Sequence, residues 1–286
     1  MIALMKRNVR LFFRDRMTVF FSLLSSFILI GLYFLFLEGT LSSEVAEYIN
    51  PDVIMFNWLI AGILAISSIS TTLTVFGIKV KDDEKDITKD FYSTPTSKGE
   101  LAGGYIGAAF IVSLFISLTT LVLAELIMYF QYGSVIDMLT LVKVIALILL
   151  TVFANSAMMY FIILFLDSSS AYSVASSLIG SVSGFLAGVY IPFGLLPNWL
   201  RSILPFIPTT QAASLLRKAL MANEFQKLTN APTEVILEVK ETLGVIFPFG
   251  EGYVTTGQSI FYLFVAGLIF YLLAVWKLKS EDQETK

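Results

Sequence analysis

The feature that most constrains this chain is a series of six long runs without a charged residue. The first, from Met17 to Leu37, contains 21 residues, and a helix needs roughly 20 apolar residues to cross a bilayer. Hydrophobic residues make up 56% of the chain and charged residues 14%, whereas soluble proteins are about one quarter charged. We therefore predict an all-α membrane protein with one transmembrane domain over residues 1–286. Its spans are predicted at residues 17–37, 53–78, 101–128, 141–166, 171–191 and 257–277.

Basic residues are distributed unequally between the two sides of these spans. They cluster before the first run, in the loop 79–100 and in the tail after Trp276, whereas the loops 38–52 and 129–138 contain none. Because short loops rich in Lys and Arg stay in the cytoplasm, the N- and C-termini are both predicted to be cytoplasmic. The expected location is a plasma membrane of the bacterial type. The net charge of −3 gives no indication of a nucleic-acid partner.

The first sixteen residues predict an amphipathic helix. Apolar and basic residues recur at helical spacing on separate faces, which is typical of a helix that lies in the membrane interface. The alternative is an ordinary cytoplasmic flank of the first span. The apolar face contains Ile2, Met5, Val9, Phe12 and Phe13, and the basic face contains Lys6, Arg10 and Arg14.

Composition argues against an enzyme. The chain has no cysteine and no histidine, so it lacks thiolate chemistry and the commonest metal ligand and general base. No phosphate-binding GxxxxGK[ST] loop is present, and no metal site is predicted. The ionisable residues nearest the spans, Glu125, Lys143 and Asp167, all lie at predicted span ends.

The charged loop 79–100 is a candidate docking element for a cytosolic partner. Asp83 can cap a short helix over residues 84–91, and Ser97 and Glu100 have the spacing of a capping box that begins the third span. Exposed aromatic residues are typical of contact sites, although a charged loop can also be a solvated connector. The candidate coupling residues are Asp83, Glu84, Asp86, Lys89, Phe91 and Tyr92.

Small and polar residues occur inside three spans. Gly180, Gly184 and Gly188 recur four residues apart in the fifth span, a pattern that allows close helix packing within the chain or against a second protomer. Gly103 and Gly107 repeat the pattern in the third span. In the fourth span, Asn155 and Ser156 either hydrogen-bond a neighbouring helix or line a pathway.

Residues 184–217 cannot form one straight helix. They contain four prolines, and each proline removes a backbone donor and clashes with the preceding turn. Broken backbone at membrane depth persists only where protein or a watery cavity satisfies its polar groups. Within the segment, Arg201 beside Trp199 is either an interfacial anchor or a contact for cargo. The prolines are Pro192, Pro197, Pro205 and Pro208.

These features together resemble the membrane permeases of ABC-2 type ATP-binding-cassette exporters. The resemblance covers nearly the whole chain: the basic N-terminal helix, six spans, the charged loop ending at Thr94 to Ser97, and the proline segment. In that segment the family's G…P…LP-WL…PxT…R pattern is matched by Gly188, Ile191-Pro192, Leu196-Pro197, Trp199-Leu200, Pro208-Thr209 and Arg217.

The resemblance implies a division of labour. Two permease subunits, identical or related, would pair around a path in the lipid bilayer, each above a cytosolic ATPase that binds ATP and Mg²⁺. The permease itself would bind no cofactor and catalyse no reaction. The loop 79–100 would hold the coupling helix, and residues 192–256 would form an outer segment with re-entrant helices. The outer gate would consist of Gly188, Pro192, Pro197, Trp199, Arg201 and Pro208.

Three functions remain open at this point. The first is an exporter of an amphipathic or lipid-like compound such as a drug, an antimicrobial peptide or a lipid-linked molecule, since the spans offer few fixed charges for a hydrophilic ion. The second is a polysaccharide or teichoic-acid exporter, for which aromatic residues would be expected along one channel. The third is a channel or a non-transporting sensor, which would need no ATPase.

Overall fold

The computed structural model describes residues 1–36, 51–92, 96–166, 168–227, 232–249 and 252–284. Within these residues the prediction of an all-α membrane protein is confirmed, since the only β-structure described is a two-stranded antiparallel hairpin. The helices are α1 (Ile2–Arg14), α2 (Arg16–Phe36), α3 (Pro51–Glu84), α4 (Ile87–Tyr92), α5 (Lys98–Tyr132), α6 (Met138–Ile163), α7 (Ser169–Leu186), α8 (Asn198–Ile203), α9 (Pro208–Leu220), α10 (Ala222–Gln226), α11 (Thr233–Thr242) and α12 (Thr256–Glu284). Short 3₁₀ turns occupy Phe193–Leu195 and Leu204–Phe206, and the hairpin pairs β1 (Pro248–Phe249) with β2 (Gly252–Tyr253).

Five helices in the described part of the chain are long and apolar enough to cross a membrane: α2, α3, α5, α6 and α12. The fifth predicted span, 171–191, differs from the prediction. It forms α7, an 18-residue helix that contains seven serines and ends at Leu186. The serines lower its mean hydropathy, and Gly188 ends the helix because its φ of +63° is left-handed.

Helix α3 is the centre of the bundle. Its most apolar 18-residue window is 94% buried, against 17% to 50% for the other four spans. It packs against α2, α5, α6, α7 and α9, and residues with small side chains, such as Ala61, Gly62 and Ala65, let these neighbours approach closely. The helices at both ends of the molecule therefore pack against α3.

Helix α1 packs on the bundle rather than presenting its whole apolar face to lipid. Gly103 and Gly107 of α5 lie against the thioethers of Met1 and Met5, and Phe13 meets Phe115 edge to face at 5.1 Å. The glycine pattern predicted in the third span therefore accommodates the N-terminal helix of the same chain. The basic face of α1, which includes Lys6, Arg10 and Arg14, is exposed.

The bundle has two structurally different ends. The α1 end contains α1, the last turn of α3, α4 and the start of α5, which the predicted Ser97–Glu100 capping box begins. The α9 end contains residues 187–227 and 232–249 and the start of α6, where Asp137 accepts hydrogen bonds from Thr140 and from Asn223. These hydrogen bonds, above all that from the Thr140 side chain, hold the pKa of Asp137 well below its usual range.

Candidate functional site

The chain breaks at the end of α7, at the position where the sequence predicts an interrupted span. The amide of Val189 bonds the carbonyl of Gly184 at 2.9 Å, and the amide of Gly188 bonds Phe185 at 3.0 Å. A left-handed glycine with these bonds is a helix C-cap that turns the chain sharply. Gly188 is therefore a helix terminator and not part of a helix-packing face.

The exposed carbonyls of this turn are satisfied by Arg217 from α9. Its Nη2 atom donates to the carbonyl of Ala187 at 2.7 Å and to that of Gly188 at 3.0 Å. The guanidinium also lies 5.0 Å from the ring centroid of Trp58, whose indole nitrogen donates to the Leu243 carbonyl at 2.8 Å. Arg217 is only 2% exposed, so this single cation joins α7, α3 and α9 inside the protein.

Other polar side chains of α9 satisfy further carbonyls of the irregular segment. Thr210 donates to the carbonyl of Leu186 at 2.7 Å, Gln211 to that of Pro205 at 2.7 Å and Ser214 to that of Val245 at 2.7 Å. Buried carbonyls without a partner would each be costly. α9 thus provides the protein partners that broken backbone requires in a membrane.

The predicted outer-gate residues lie in this segment. Pro192 precedes the first 3₁₀ turn, Pro197 precedes α8, and Pro208 is the first residue of α9. Trp199 is 66% exposed, and the guanidinium of Arg201 hydrogen-bonds the side chain of Asn198. In the first part of the predicted outer segment 192–256, the helices are α8 with its flanking 3₁₀ turns and α9.

The three predicted packing glycines do not share one interface within the chain. A Cβ added at Gly184 would lie 2.1 Å from the ring of Tyr190, and one at Gly188 would lie 3.3 Å from Arg217. At Gly180 a Cβ would meet no atom within 4 Å. Gly180 is half-exposed and lines a cavity bounded by α2 and α3, so the described residues provide no intrachain packing partner for it.

Asn155 and Ser156 lie in the interior between helices. Asn155 donates to Ser68 at 2.6 Å and accepts from Thr209 at 3.3 Å, while Ser156 is 3.4 Å from Thr72. Both residues have no exposed surface within this chain. The geometry agrees with the hydrogen-bonding alternative, because neighbouring helices cover these groups, and the pathway alternative stays a prediction.

An ion pair joins α1 to α3 at the α1 end. Arg7 holds both carboxylate oxygens of Asp82, at 2.7 and 2.8 Å, and the hydroxyl of Tyr105 donates to Asp82 at 2.9 Å. The hydrogen bonds to Asp82 raise the pKa of the Arg7 guanidinium. Arg7 also lies 5.9 Å from the ring centroid of Phe91 in α4. The same side chain therefore contacts α3 and the predicted coupling helix.

The predicted coupling segment needs one correction. The short helix begins at Ile87 rather than Glu84, because α3 continues to Glu84 with its last turn held by a Lys79–Asp83 ion pair at 2.5 Å. Asp86, with φ of +59°, then turns the chain, and Asp83 accepts a hydrogen bond from Thr88. Phe91 is half-buried against core residues, and its role in docking a partner stays a prediction. Of the other candidates, Glu84 and Asp86 are exposed, and the side chains of Lys89 and Tyr92 lie outside the described residues.

The predicted ionisable residues near the spans have separate roles. Glu125 accepts a hydrogen bond from the amide of Ile136 at 3.1 Å and so fastens the loop between α5 and α6. Lys143 is exposed on α6, and Asp167 lies outside the described residues. The described residues contain no cluster of carboxylates suited to a metal ion.

Three adjoining cavities form a groove along α2, α3 and α7. The first, about 700 Å³, lies at the α1 end and shares Thr18 and Thr74 with the second, about 320 Å³. The second shares Ser25 and Ser70 with the third, about 330 Å³, which ends at Tyr190 beside the α7 turn. We call this feature the hydroxyl groove.

Sequence reasoning missed the residues that organise both ends. Arg217 is present in the family pattern but was not a predicted site residue, and Trp58, Arg7 and Asp82 were not singled out. The available signal was that these charged residues flank apolar runs. However, Arg7 and Asp82 are 75 residues apart in the chain, and Arg217 is about 30 residues from the carbonyls of the α7 turn.

The whole chain was also compared with known proteins. The family model for the ABC-2 type transporter matches residues 1–221, which include α1, the hydroxyl groove and α9. A comparison with curated proteins returned no match. The match covers more than three quarters of the 286 residues, and the chain therefore belongs to the ABC-2 type transporter family as a membrane-spanning permease component.

Proposed function

We propose that this permease is the membrane subunit of an ATP-driven exporter that moves an amphipathic or lipid-like compound out of the cell. The cargo would be a drug, an antimicrobial peptide or a lipid-linked molecule. The main support for the proposal is the hydroxyl groove, because it extends from the charged α1 end to the Gly188 turn. A cargo in this groove would cross between the two ends without leaving the protein surface.

The lining of the groove supports an amphipathic cargo. Its middle section combines Ser22, Ser25 and Thr74 with apolar side chains such as Met17 and Phe21, and it contains no charged residue. Hydroxyl groups can bond polar parts of a cargo, and the apolar side chains can cover its hydrocarbon. A strongly hydrated ion would find no charged partner there to replace its water.

The groove is open along one side, and a second permease copy would close it. Beside it, α7 presents Val174 and Leu178 to the outside, and Gly180, which lines the groove and has no atom within 4 Å of an added Cβ, leaves room for a neighbouring helix. We propose a dimer through α2 and α7, formed either by two copies of this chain or by this chain and a related one.

The α1 end would couple transport to a cytosolic ATPase. We propose that ATP and Mg²⁺ bind only to the ATPase and that the permease binds no cofactor itself. Movement of α4 would reach the groove through Arg7, which contacts Phe91 and holds Asp82 of α3. This arrangement requires a plasma membrane of the bacterial type. The α1 end would face the cytoplasm, and the proline segment would face the outside.

The test is a reconstituted complex of this permease with its ATPase in liposomes. Ser70 belongs to two of the three cavities, so Ser70→Trp should obstruct the groove, while Val122→Trp changes an exposed position of α5 outside it. We expect Ser70→Trp to abolish efflux of amphipathic dyes and Val122→Trp to retain it, with the ATPase bound in both.

Two results would contradict the proposal. Efflux that is normal in Ser70→Trp would exclude the groove as the path. A native permease that purifies without any ATP-binding subunit would exclude an ATP-driven exporter and favour a channel or a sensor.

A further inference from the structure

The cavity at the α1 end of the hydroxyl groove is lined by more cations than carboxylates. It lies between α1, the last turns of α3 and the start of α7, and has a volume of about 700 Å³. Four basic residues and two carboxylates line it. The basic residues are Arg7, Arg14, Lys81 and Lys85, and the carboxylates are Asp15 and Asp82.

Both carboxylates are already engaged in hydrogen bonds. Asp82 accepts two bonds from Arg7 and one from Tyr105. Asp15 accepts bonds from the side chain and amide of Thr18, at 2.7 and 3.2 Å, which lower the pKa of Asp15. The two acids are therefore held by hydrogen bonds from groups other than the remaining lysines.

Three cations remain available to a ligand. Arg14, Lys81 and Lys85 are exposed, and none forms an ion pair within 4 Å with the residues that the structure describes. Lys81 is close enough to Asp15 to contribute to its lowered pKa, and Lys85 adjoins Glu84, whose side chain is engaged with the amide of Ser169. The cavity thus presents cations on two of its sides, from α1 and from α3.

The cavity continues directly into the apolar part of the hydroxyl groove. Thr18 and Thr74 line both, and beyond them come Met17 and Phe21. An anionic group held by the three cations would therefore have an attached hydrocarbon chain lying against apolar side chains. This combination of charge and apolar surface is suited to one kind of molecule, an anionic amphiphile.

We propose that this cavity is a loading site for the phosphate-type headgroup of an anionic lipid or lipid-linked cargo. The inference rests on the proposed exporter function, which it narrows from amphipathic compounds in general to those with a negatively charged headgroup. A membrane phospholipid, a phosphorylated lipid-linked cargo and free phosphate share this headgroup chemistry, and binding measurements separate them.

The experiment uses the full chain in a neutral detergent and two tail-labelled lipids with identical acyl chains, phosphatidylglycerol and phosphatidylcholine. Fluorescence anisotropy gives the affinity for each. The test variant is Arg14→Gln/Lys81→Gln/Lys85→Gln. The control variant removes the same charge from three exposed basic residues that do not line the cavity: Lys6→Gln/Arg10→Gln/Arg16→Gln.

We expect the native chain to bind phosphatidylglycerol more tightly than phosphatidylcholine. One basic residue near a membrane surface changes the affinity for an anionic lipid about fivefold, so the test variant should lose about 100-fold. The control variant should retain most of the preference. Competition by millimolar inorganic phosphate would identify free phosphate as a ligand, whereas displacement only by lipid would show that the acyl chain is required.

Two outcomes would overturn the proposal: equal affinity of the native chain for the two lipids, or equal losses in the test and control variants. Because binding is measured without ATP and without an ATPase, it can succeed when transport fails. Normal binding in a complex that exports nothing would therefore contradict the exporter proposal alone.

Discussion

Substitution of Arg217 tests whether one buried cation stabilises the end of α7. In Arg217→Met the side chain keeps a similar apolar length but loses the donors to the carbonyls of Ala187 and Gly188. The contact with the ring of Trp58, at 5.0 Å, also loses its charge. The turn at Gly188 should therefore open more readily while α7 and α9 remain helical.

The magnitude follows from the two carbonyl oxygens. A buried acceptor that loses its partner costs about 1–3 kcal/mol, so the closed turn should be destabilised by about 2–6 kcal/mol. Each 1.36 kcal/mol is a factor of ten, which gives at least about a 30-fold increase in the population of the open turn. Global stability is a poor measure here, because removing a buried charge also removes its desolvation cost.

Hydrogen exchange measured by mass spectrometry in lipid nanodiscs is the direct assay. The amides of Gly188 and Val189 are hydrogen-bonded within the turn, so their exchange reports its opening. We expect exchange at these amides to be at least about 30-fold faster in Arg217→Met. Lys143→Met, which removes an exposed charge from α6, should leave it unchanged.

An unchanged exchange rate at these amides in Arg217→Met would refute the reasoning, because the turn would then be stable without its donors. Arg217→Lys provides a further check. An ammonium keeps the charge but lacks the planar fork that reaches both carbonyls, so its exchange should lie between those of the native chain and Arg217→Met.

Two other predictions concern packing and the α1 end. Gly62→Ala would place a Cβ 2.2 Å from the Cγ2 atom of Val189, so thermal unfolding should show that the protein loses about 1–3 kcal/mol of stability. The control Gly31→Ala, where an added Cβ meets no atom within 4 Å, should show no loss. Equal effects of the two substitutions would contradict close packing at Gly62. Arg7→Gln leaves the carboxylate of Asp82 without its ion pair, and it should uncouple ATP hydrolysis from efflux and cost up to about 3–5 kcal/mol. Coupled transport in Arg7→Gln would show that this ion pair does not transmit movement. The loss of stability should fall below this range, because water reaches the 34% exposed Arg7 side chain and screens the ion pair.

Much of the architecture could be predicted from the sequence because it depends on local properties. Uncharged runs locate spans, since the hydrocarbon core excludes charge over a fixed thickness. The Ser97–Glu100 capping box and the break near the prolines also depend on residues adjacent in the chain. By the same logic, the sequence indicated a basic face on α1 and a broken segment before α9.

The candidate site could be predicted only in part, because its contacts join distant residues. The turn at Gly188 identifies a break, but nothing local indicates that Arg217 satisfies it or that Trp58 lies beneath the guanidinium. Likewise, nothing local to Phe91 indicates that the Arg7 guanidinium lies 5.9 Å from the centroid of its ring.

The sequence by itself therefore determined the membrane class, the approximate spans and the position of the break, because hydropathy, charge and proline act over a few residues. Tertiary structure alone decided which groups satisfy the broken backbone and where a groove lies. Those properties depend on how α1, α2, α3, α7 and α9 pack, and burial makes a polar partner necessary without specifying which distant residue provides it.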